Sequence, residues 1–372
     1  MHVLIVSAWD PKSGVLSVYR SLARHLSRRG VRFSAFAFDG WSADTWWTFC
    51  DELIDGRTTT LSETLMSGRY DLIHCVDTTY APPYGVEKWV SRARFRGPVI
   101  LMAQQVERRQ LRGPAHATRY VACSQAAADI LAQDADRPVA VIPNGYDESV
   151  FRPQPGERSD RPLFVWVGRS YDNVKGVDLF LDAVEAIPNC EGIVVDSGSG
   201  ESIASRLLQT DPRISHRPLL TPPELAGVLQ KAAGSGGAFI STSLYEAFGI
   251  AAVEAMACEC PVIAPRVPGH EHLIDRGNAL VYDRAAGING IKAAVEQLQD
   301  PVFRRQLVRQ AREQAVENWT SRTMADAYSR LYEDALREPS MQHLADPFAR
   351  FAWRLLLKAR PWMHRMRRLH TC

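Results

Sequence analysis

The sequence predicts an α/β protein made of two doubly wound domains, on three observations. Short apolar runs alternate with longer stretches of helical spacing, the pattern of βαβ units and of a parallel sheet covered on both faces. The alternation stops at a polar, proline-rich stretch over residues 152–162 and then restarts. The chain has 372 residues, more than one ordinary core takes up.

Each element follows from its own residues. Val3–Ala8 reads as the first strand; Met1-His2-Val3 carries no basic segment ahead of the apolar run, so a signal peptide is not expected. Val15–Arg29 has apolar residues at helical spacing, and Gly30 stops it. Further strands are predicted over Phe33–Phe38, Asp71–Val76, Val99–Ala103, Tyr120–Cys123 and Val139–Ile142. After the linker they recur at Leu163–Val167, Gly192–Asp196, Ile214–Pro218, Ala238–Ser241, Pro261–Ala264 and Ala279–Tyr282. From Pro301 the chain reads as helix without strands, with long amphipathic patterns over Arg305–Val316 and Arg322–Leu336. Ligands of such sheets bind at the carboxyl ends of the strands, and with two domains the cleft between them is the natural site.

Composition narrows the function classes. Apolar residues make up 46% and charged residues 23%, as in soluble globular proteins. A net charge of +2 argues against a general nucleic-acid binder. No apolar run approaches the length needed to span a bilayer. The seven cysteines are scattered; Cys258 and Cys260 are too close for a zinc knuckle and there is no second pair, which points to thiols in a reducing cytoplasm. The last segment, 347–372, carries Arg350, Arg354, Lys358, Arg360, Arg365, Arg367 and Arg368 and no acid. Without those seven, 37 basic residues face 42 acidic ones, so the body is net −5.

The most informative stretch is Ser243–Ala257. It sets Glu246 and Glu254 around a turn that leads into a helix. Between them Ala247-Phe248-Gly249-Ile250 offers backbone N–H groups at a helix start, where the dipole favours an anion. Glu254 lies in an almost wholly apolar run, where a carboxylate is unfavourable without a partner. Earlier, Phe164–Gly168 runs out of a strand into a turn flanked by Arg169 and Lys175. Two fixed cations beside a helix start suit a diphosphate and its departure as a leaving group. A purely structural reading makes the cations solvent charges and the glutamates a cap and a solvated face. The whole set together favours a ligand with a phosphate centre and hydroxyl-rich ends, such as a sugar nucleotide.

These segments carry a family resemblance. In chain order they are Ile142-Pro143-Asn144-Gly145-Tyr146-Asp147, Gly168-Arg169 with Lys175-Gly176, Ser197-Gly198-Ser199-Gly200, Pro222-Pro223-Glu224-Leu225-Ala226, Glu246 to Glu254, and Pro261-Val262-Ile263-Ala264. The chain resembles retaining glycosyltransferases of the GT-B fold, family 4 (glycosyl transferases group 1), over most of residues 1–335. The resemblance implies two Rossmann-like α/β/α domains facing an interdomain cleft: an acceptor domain at 1–155 and a donor domain at 156–320. A crossover helix at 321–346 returns to the first domain, and a basic tail follows at 347–372.

It also implies roles. Arg169 and Lys175 match the pair that grips the donor diphosphate, and Glu254 the carboxylate that accepts from ribose hydroxyls. Glu246 matches the carboxylate beside the transferred sugar, orienting and stabilising rather than attacking. Phe248-Gly249-Ile250 lays N–H groups on sugar and phosphate, Arg217-Pro218-Leu219 follows a strand at the base slot, and Gly14 belongs to a glycine turn over the phosphates. With Arg169, Lys175 and the helix dipole supplying the positive charge, the reaction the resemblance implies is expected without a metal or other cofactor: transfer from a nucleoside diphosphate sugar, UDP before GDP, to a hydroxyl with an α-linkage.

The chain departs from the family at three places. One glycine, Gly14, stands where two adjacent ones are common. Gln104 and Gln105 stand where a histidine is common, leaving His74 as the other acceptor-side candidate; a core histidine is the competing reading. Glu259 replaces a glycine after the Glu254 helix. The expected partners are a sugar nucleotide and a carbohydrate or glycolipid acceptor, with no nucleic acid. Phe348, Phe351, Leu355, Trp362, Met366 and Leu369 recur among the tail's cations, as on an interfacial helix, so residues 347–369 are expected on an anionic membrane surface of the cytoplasmic face. Cell-surface glycan, lipopolysaccharide or glycolipid synthesis is the leading setting. A glycosyltransferase of a soluble natural product, a nucleotide-sugar epimerase and an inactive scaffold are the alternatives.

Overall fold

A computed structural model describes residues 1–7, 14–38, 49–76, 85–104, 117–133, 135, 137–154, 161–171, 173–196, 211–218, 220–274 and 277–338. The first sheet contains β1 (His2–Ser7), β2 (Arg32–Ala37), β3 (Glu52–Asp55), β4 (Leu72–Val76), β5 (Val99–Ala103), β6 (Arg119–Ala122) and β7 (Val139–Val141). Its order is β3-β2-β1-β4-β5-β6-β7, parallel throughout. The second sheet contains β8 (Leu163–Gly168), β9 (Glu191–Asp196), β10 (Ile214–Pro218), β11 (Ala238–Ile240), β12 (Val262–Pro265) and β13 (Leu280–Tyr282). Its order is β10-β9-β8-β11-β12-β13, again parallel. Both orders reverse once, between β1 and β4 and between β8 and β11. Those reversals open crevices at the strands' carboxyl ends.

Helices wrap both sheets: α1 (Gly14–Leu26), α2 (Leu61–Met66), α3 (Val86–Arg92) and α4 (Gln125–Leu131), then α5 (Val177–Ala186), α6 (Pro222–Gly234), α7 (Ile250–Ala257), α8 (Glu271–Ile274) and α9 (Gly287–Gln297). The chain ends its described part with α10 (Pro301–Asn318) and α11 (Ser321–Arg337). Asp300 starts α10 by accepting the N–H of Val302 at 2.8 Å, ahead of Pro301, whose missing N–H is no loss at that position. Thr320 starts α11 the same way, accepting from Thr323 at 3.0 Å. The helix predicted over Val15–Arg29 ends at Leu26, passes through one tighter turn at Ser27–Arg29, and stops at Gly30 with φ +80°.

One strand escapes the sequence reading. Glu52-Leu53-Ile54-Asp55 has two apolar residues between acids, and only Ile54 is buried. It is the sheet's edge, where half a strand's polar groups face water and apolar alternation is no longer required.

The chain crosses between the domains twice, and the two crossings touch. Tyr146 donates its N–H to Trp319 O at 2.9 Å, and Ser321 donates to Tyr146 O at 2.7 Å. A Cβ on Gly145 would lie 2.4 Å from Thr320 O, so only glycine lets the crossings meet. Beyond that point α11 leaves the second domain. Its Met324, Ala325, Tyr328, Tyr332 and Ala335 are buried with α1 and the first sheet in one core.

Candidate active site

The switch point of the second sheet assembles the expected donor residues. Gly168 is the last residue of β8 and Arg169, half-buried, follows it. Across the reversal, the stretch after β11 carries Ser243 and Glu246 and leads to α7. Lys175 Nζ reaches Glu246 Oε1 at 2.5 Å, and the Ser243 hydroxyl donates to the same oxygen at 2.8 Å. Burial pushes the Glu246 carboxyl up. The Lys175 charge, His270 and the hydrogen bonds from Lys175 and Ser243 outweigh that and hold it below the ordinary carboxylate range. The two loops are also joined by their backbones, Leu244 N–H to Val174 O at 2.7 Å.

Gly249 takes φ +76° ahead of α7, a left-handed conformation that suits glycine, and the Phe248-Gly249-Ile250 segment thereby turns into the helix N-terminus. Phe248 is buried, while Ala247, Gly249 and Ile250 are half-buried. Ala247 faces the first domain, its carbonyl 3.5 Å from the Cys123 thiol. Glu254 lies in the second turn of α7, half-buried, and its carboxylate accepts no hydrogen bond from any described residue. Burial, and then the charge of Asp147, push it up to about 8. Asp147 belongs to the first crossing and pairs with Arg24 of α1.

Other expected residues lie elsewhere. Gly14 is the first residue of α1. Arg217 is exposed near the end of β10, on the sheet's edge. Leu219, Gln105, Ser197–Gly200 and the tail 347–369 lie outside the described residues.

The structure corrects two acceptor-side expectations. His74 is 0% exposed in the middle of β4. Its Nδ1 lies 2.6 Å from the Tyr332 hydroxyl, and Tyr19 packs edge-on at 4.9 Å. Burial drives its pKa down to about 3, so it is a neutral core histidine. Gln104 is turned onto Asn144, donating at 3.0 Å and accepting at 2.9 Å in a closed amide pair. Its amide therefore ties β5 to the first crossing.

Two supports were not foreseen. Asp196, fully buried at the end of β9, accepts the Ser170 N–H at 3.2 Å and also its hydroxyl. It thus holds the backbone beside Arg169. His270, 1% exposed, lies against Gly249 and is bound through Nδ1 to Pro265 O at 3.2 Å. A lone aspartate at a strand end and a histidine after a Pro-Gly turn carry no sequence signal of such work. Only the fold brings them to the site.

Known proteins share this arrangement in part. Residues 161–300 match the family model described as Glycosyl transferases group 1. D-inositol 3-phosphate glycosyltransferase of Mycobacteroides abscessus is 33% identical over 127 residues, which cover 33% of this chain and 28% of that relative. The enzyme of the same name from Acidothermus cellulolyticus is 26% identical over 230 residues, covering 56% of this chain and 51% of that relative. The chain thus spans about half or less of the length of these curated relatives. Among solved structures, a sucrose-phosphate synthase from Thermosynechococcus elongatus superposes with a TM-score of 0.72 at 21% identity, covering 90% of this chain and 98% of that one. HepE of Anabaena, solved in complex with UDP-glucose, gives a TM-score of 0.73 at 18% identity, covering 90% and 100%. At these identities the likeness is one of fold, and the fold is GT-B.

Proposed function

Because residues 161–300 belong to the glycosyl transferases group 1 family, we propose that this protein is a retaining glycosyltransferase that takes a sugar from a nucleoside diphosphate. The single observation that carries the donor reading is Glu254, a half-buried carboxylate at the cleft with no hydrogen-bond donor among the described residues. A buried carboxylate in that state favours a ligand that brings donors, and a ribose brings two adjacent hydroxyls.

The other groups then divide the work. The N–H groups at the start of α7 receive phosphate and sugar oxygens. Arg169 and Lys175 neutralise the departing diphosphate, charge stabilisation that this reading assigns to them rather than to a divalent ion. Glu246, kept ionised by Lys175 and Ser243, orients the sugar and stabilises positive charge as the glycosidic bond lengthens. The acceptor hydroxyl attacks from the face the diphosphate leaves, giving an α-linkage, and the leaving phosphate takes the proton. UDP is the preferred nucleotide, and a glycolipid or surface polysaccharide the preferred acceptor. The basic residues of 347–369 are proposed to hold the enzyme at an anionic membrane. No described helix is long and apolar enough to cross one.

Thermal-shift and calorimetric titrations with UDP, GDP, ADP and their sugar conjugates test the reading on wild type and Glu254→Ala. Stabilisation by one nucleotide that weakens at least ten-fold in the variant, about 1.4 kcal/mol, is the expected outcome. Stabilisation by none of them sinks the donor site.

A further inference from the structure

The loop that carries Glu246 is fastened to the turn after β12. Glu246 donates its N–H to Pro268 O at 3.1 Å. Gly269 comes so close that a Cβ there would lie 1.7 Å from Glu246 O. The chain then enters α8 and sets His272 against Phe248. The two rings are stacked, centroids 4.4 Å apart and planes 3° from parallel. Trp319 meets the same imidazole edge-on, at 5.0 Å and 79°. Phe248 and Trp319 are 3% and 4% exposed.

Trp319 is no ordinary core residue. It sits in the second crossing between the domains, and its carbonyl receives the Tyr146 N–H of the first crossing at 2.9 Å. One unbroken set of contacts therefore runs from the helix start expected to meet the donor to the junction of the two crossings.

Phe248 and Trp319 also meet each other directly, centroids 6.4 Å apart and planes at 81°, so the three rings form one triangle. The third ring is a half-buried imidazole whose Nε2 is shut away from solvent and makes no hydrogen bond. Burial, and secondarily the neighbouring His270, drive the ring down to about 3, so it is neutral and stacks without a charge to satisfy. What the imidazole supplies is a flat face for Phe248 and a ring edge for Trp319.

We propose that His272 is a positioning residue that couples the donor loop to the interdomain crossing, through Phe248 on its face and Trp319 at its edge. A nucleoside diphosphate settling on Phe248-Gly249-Ile250 shifts the Phe248 ring. Because packed interiors do not deform continuously, the stack passes that shift to Trp319 and the domains close. The coupling rests on the donor reading above.

Full-length protein titrated with UDP, followed by calorimetry and by small-angle scattering, tests it. Wild type is expected to bind and to compact. His272→Phe keeps a flat ring in the gap and is expected to compact as wild type does. His272→Ala is expected to bind about ten-fold more weakly, within the usual range of coupling between sites, and not to compact. A purely structural role for His272 would lower the thermal midpoint of the alanine variant and leave its compaction intact, which overturns the coupling. Loss of compaction in His272→Phe overturns it as well. If His272→Ala does not fold, Trp319→Leu interrupts the same path from the hinge side and is read by the same two outcomes. A wild type that binds UDP without compacting overturns the coupling and leaves the donor reading standing. A wild type that gives no heat with UDP overturns the donor reading, and the coupling with it.

Discussion

Glu246 and Glu254 lie on either side of the start of α7, and their surroundings push them opposite ways. Glu246 has a cation and a hydroxyl at its oxygen, and remains ionised at neutral pH. Glu254 has neither, faces the like charge of Asp147, and is raised from 4.5 to about 8. Between those two values the folded protein holds a proton that the unfolded chain releases, so stability falls as pH rises through that window. We expect the thermal midpoint without ligand to drop between pH 5 and pH 8, on the order of 1–2 kcal/mol once solvent access to a half-buried group is allowed for, and Glu254→Gln to flatten the profile. If the donor reading holds, UDP offsets the loss by donating to the ionised carboxylate, so its stabilising effect grows with pH. A pH series of thermal scans on both proteins, with and without UDP, reads all of this. Glu259 shows a smaller adjustment at the same scale. It takes φ +60° at the end of α7, where glycine is the default, and its carboxylate lies 3.5 Å from Arg312 Nε.

At the scale of elements, α11 is the informative one. Its Tyr332 hydroxyl lies 2.6 Å from His74 Nδ1, wholly inside the first domain. Tyr332→Phe leaves that nitrogen buried without a partner and is expected to cost about 1–3 kcal/mol in denaturant unfolding, with the sugar-nucleotide affinity unchanged. A change in that affinity would return His74 to the active site. The strand and helix pattern was legible because buried parallel strands read as continuous apolar runs, as in Val99-Ile100-Leu101-Met102-Ala103, all of them buried. The edge strand Glu52–Asp55 lacked that pattern because its setting does not demand it. Glu254 stood out because an acid in an apolar helix has few structural uses. His74 misled for the same reason, since a polar residue in an apolar strand looks functional until the distant tyrosine that satisfies it is seen. Gln104, Asp196 and His272 could not be read, because their partners Asn144, Ser170 and Trp319 lie 40, 26 and 47 positions away and only the fold selects them.

The whole molecule is not two beads on a string. The first sheet is complete by Val141, yet the core on one of its faces includes side chains from residues 324–335, contributed after the chain has built the second domain. Met324, Tyr328 and Tyr332 are each at most 2% exposed there. Fully burying a side chain of that size stabilises by roughly 1.5–3 kcal/mol, so three of them amount to a large part of the 5–15 kcal/mol that holds a domain together. Among the described residues the second domain takes less from the first: Tyr146 and Phe151 of the first crossing join the core on one of its faces, while its own helices α5, α9 and α10 cover the other. The two halves are therefore expected to behave differently when separated. A fragment of residues 161–318 should unfold in one cooperative transition. A fragment of residues 1–154 should show no cooperative transition alone, and should regain one when residues 319–338 are appended through a flexible linker. Circular dichroism melts of the three fragments decide it. Cooperative unfolding of 1–154 by itself would mean that α11 covers a finished core rather than completing it, and the crossing at Tyr146 and Trp319 would then be a tether between independent domains.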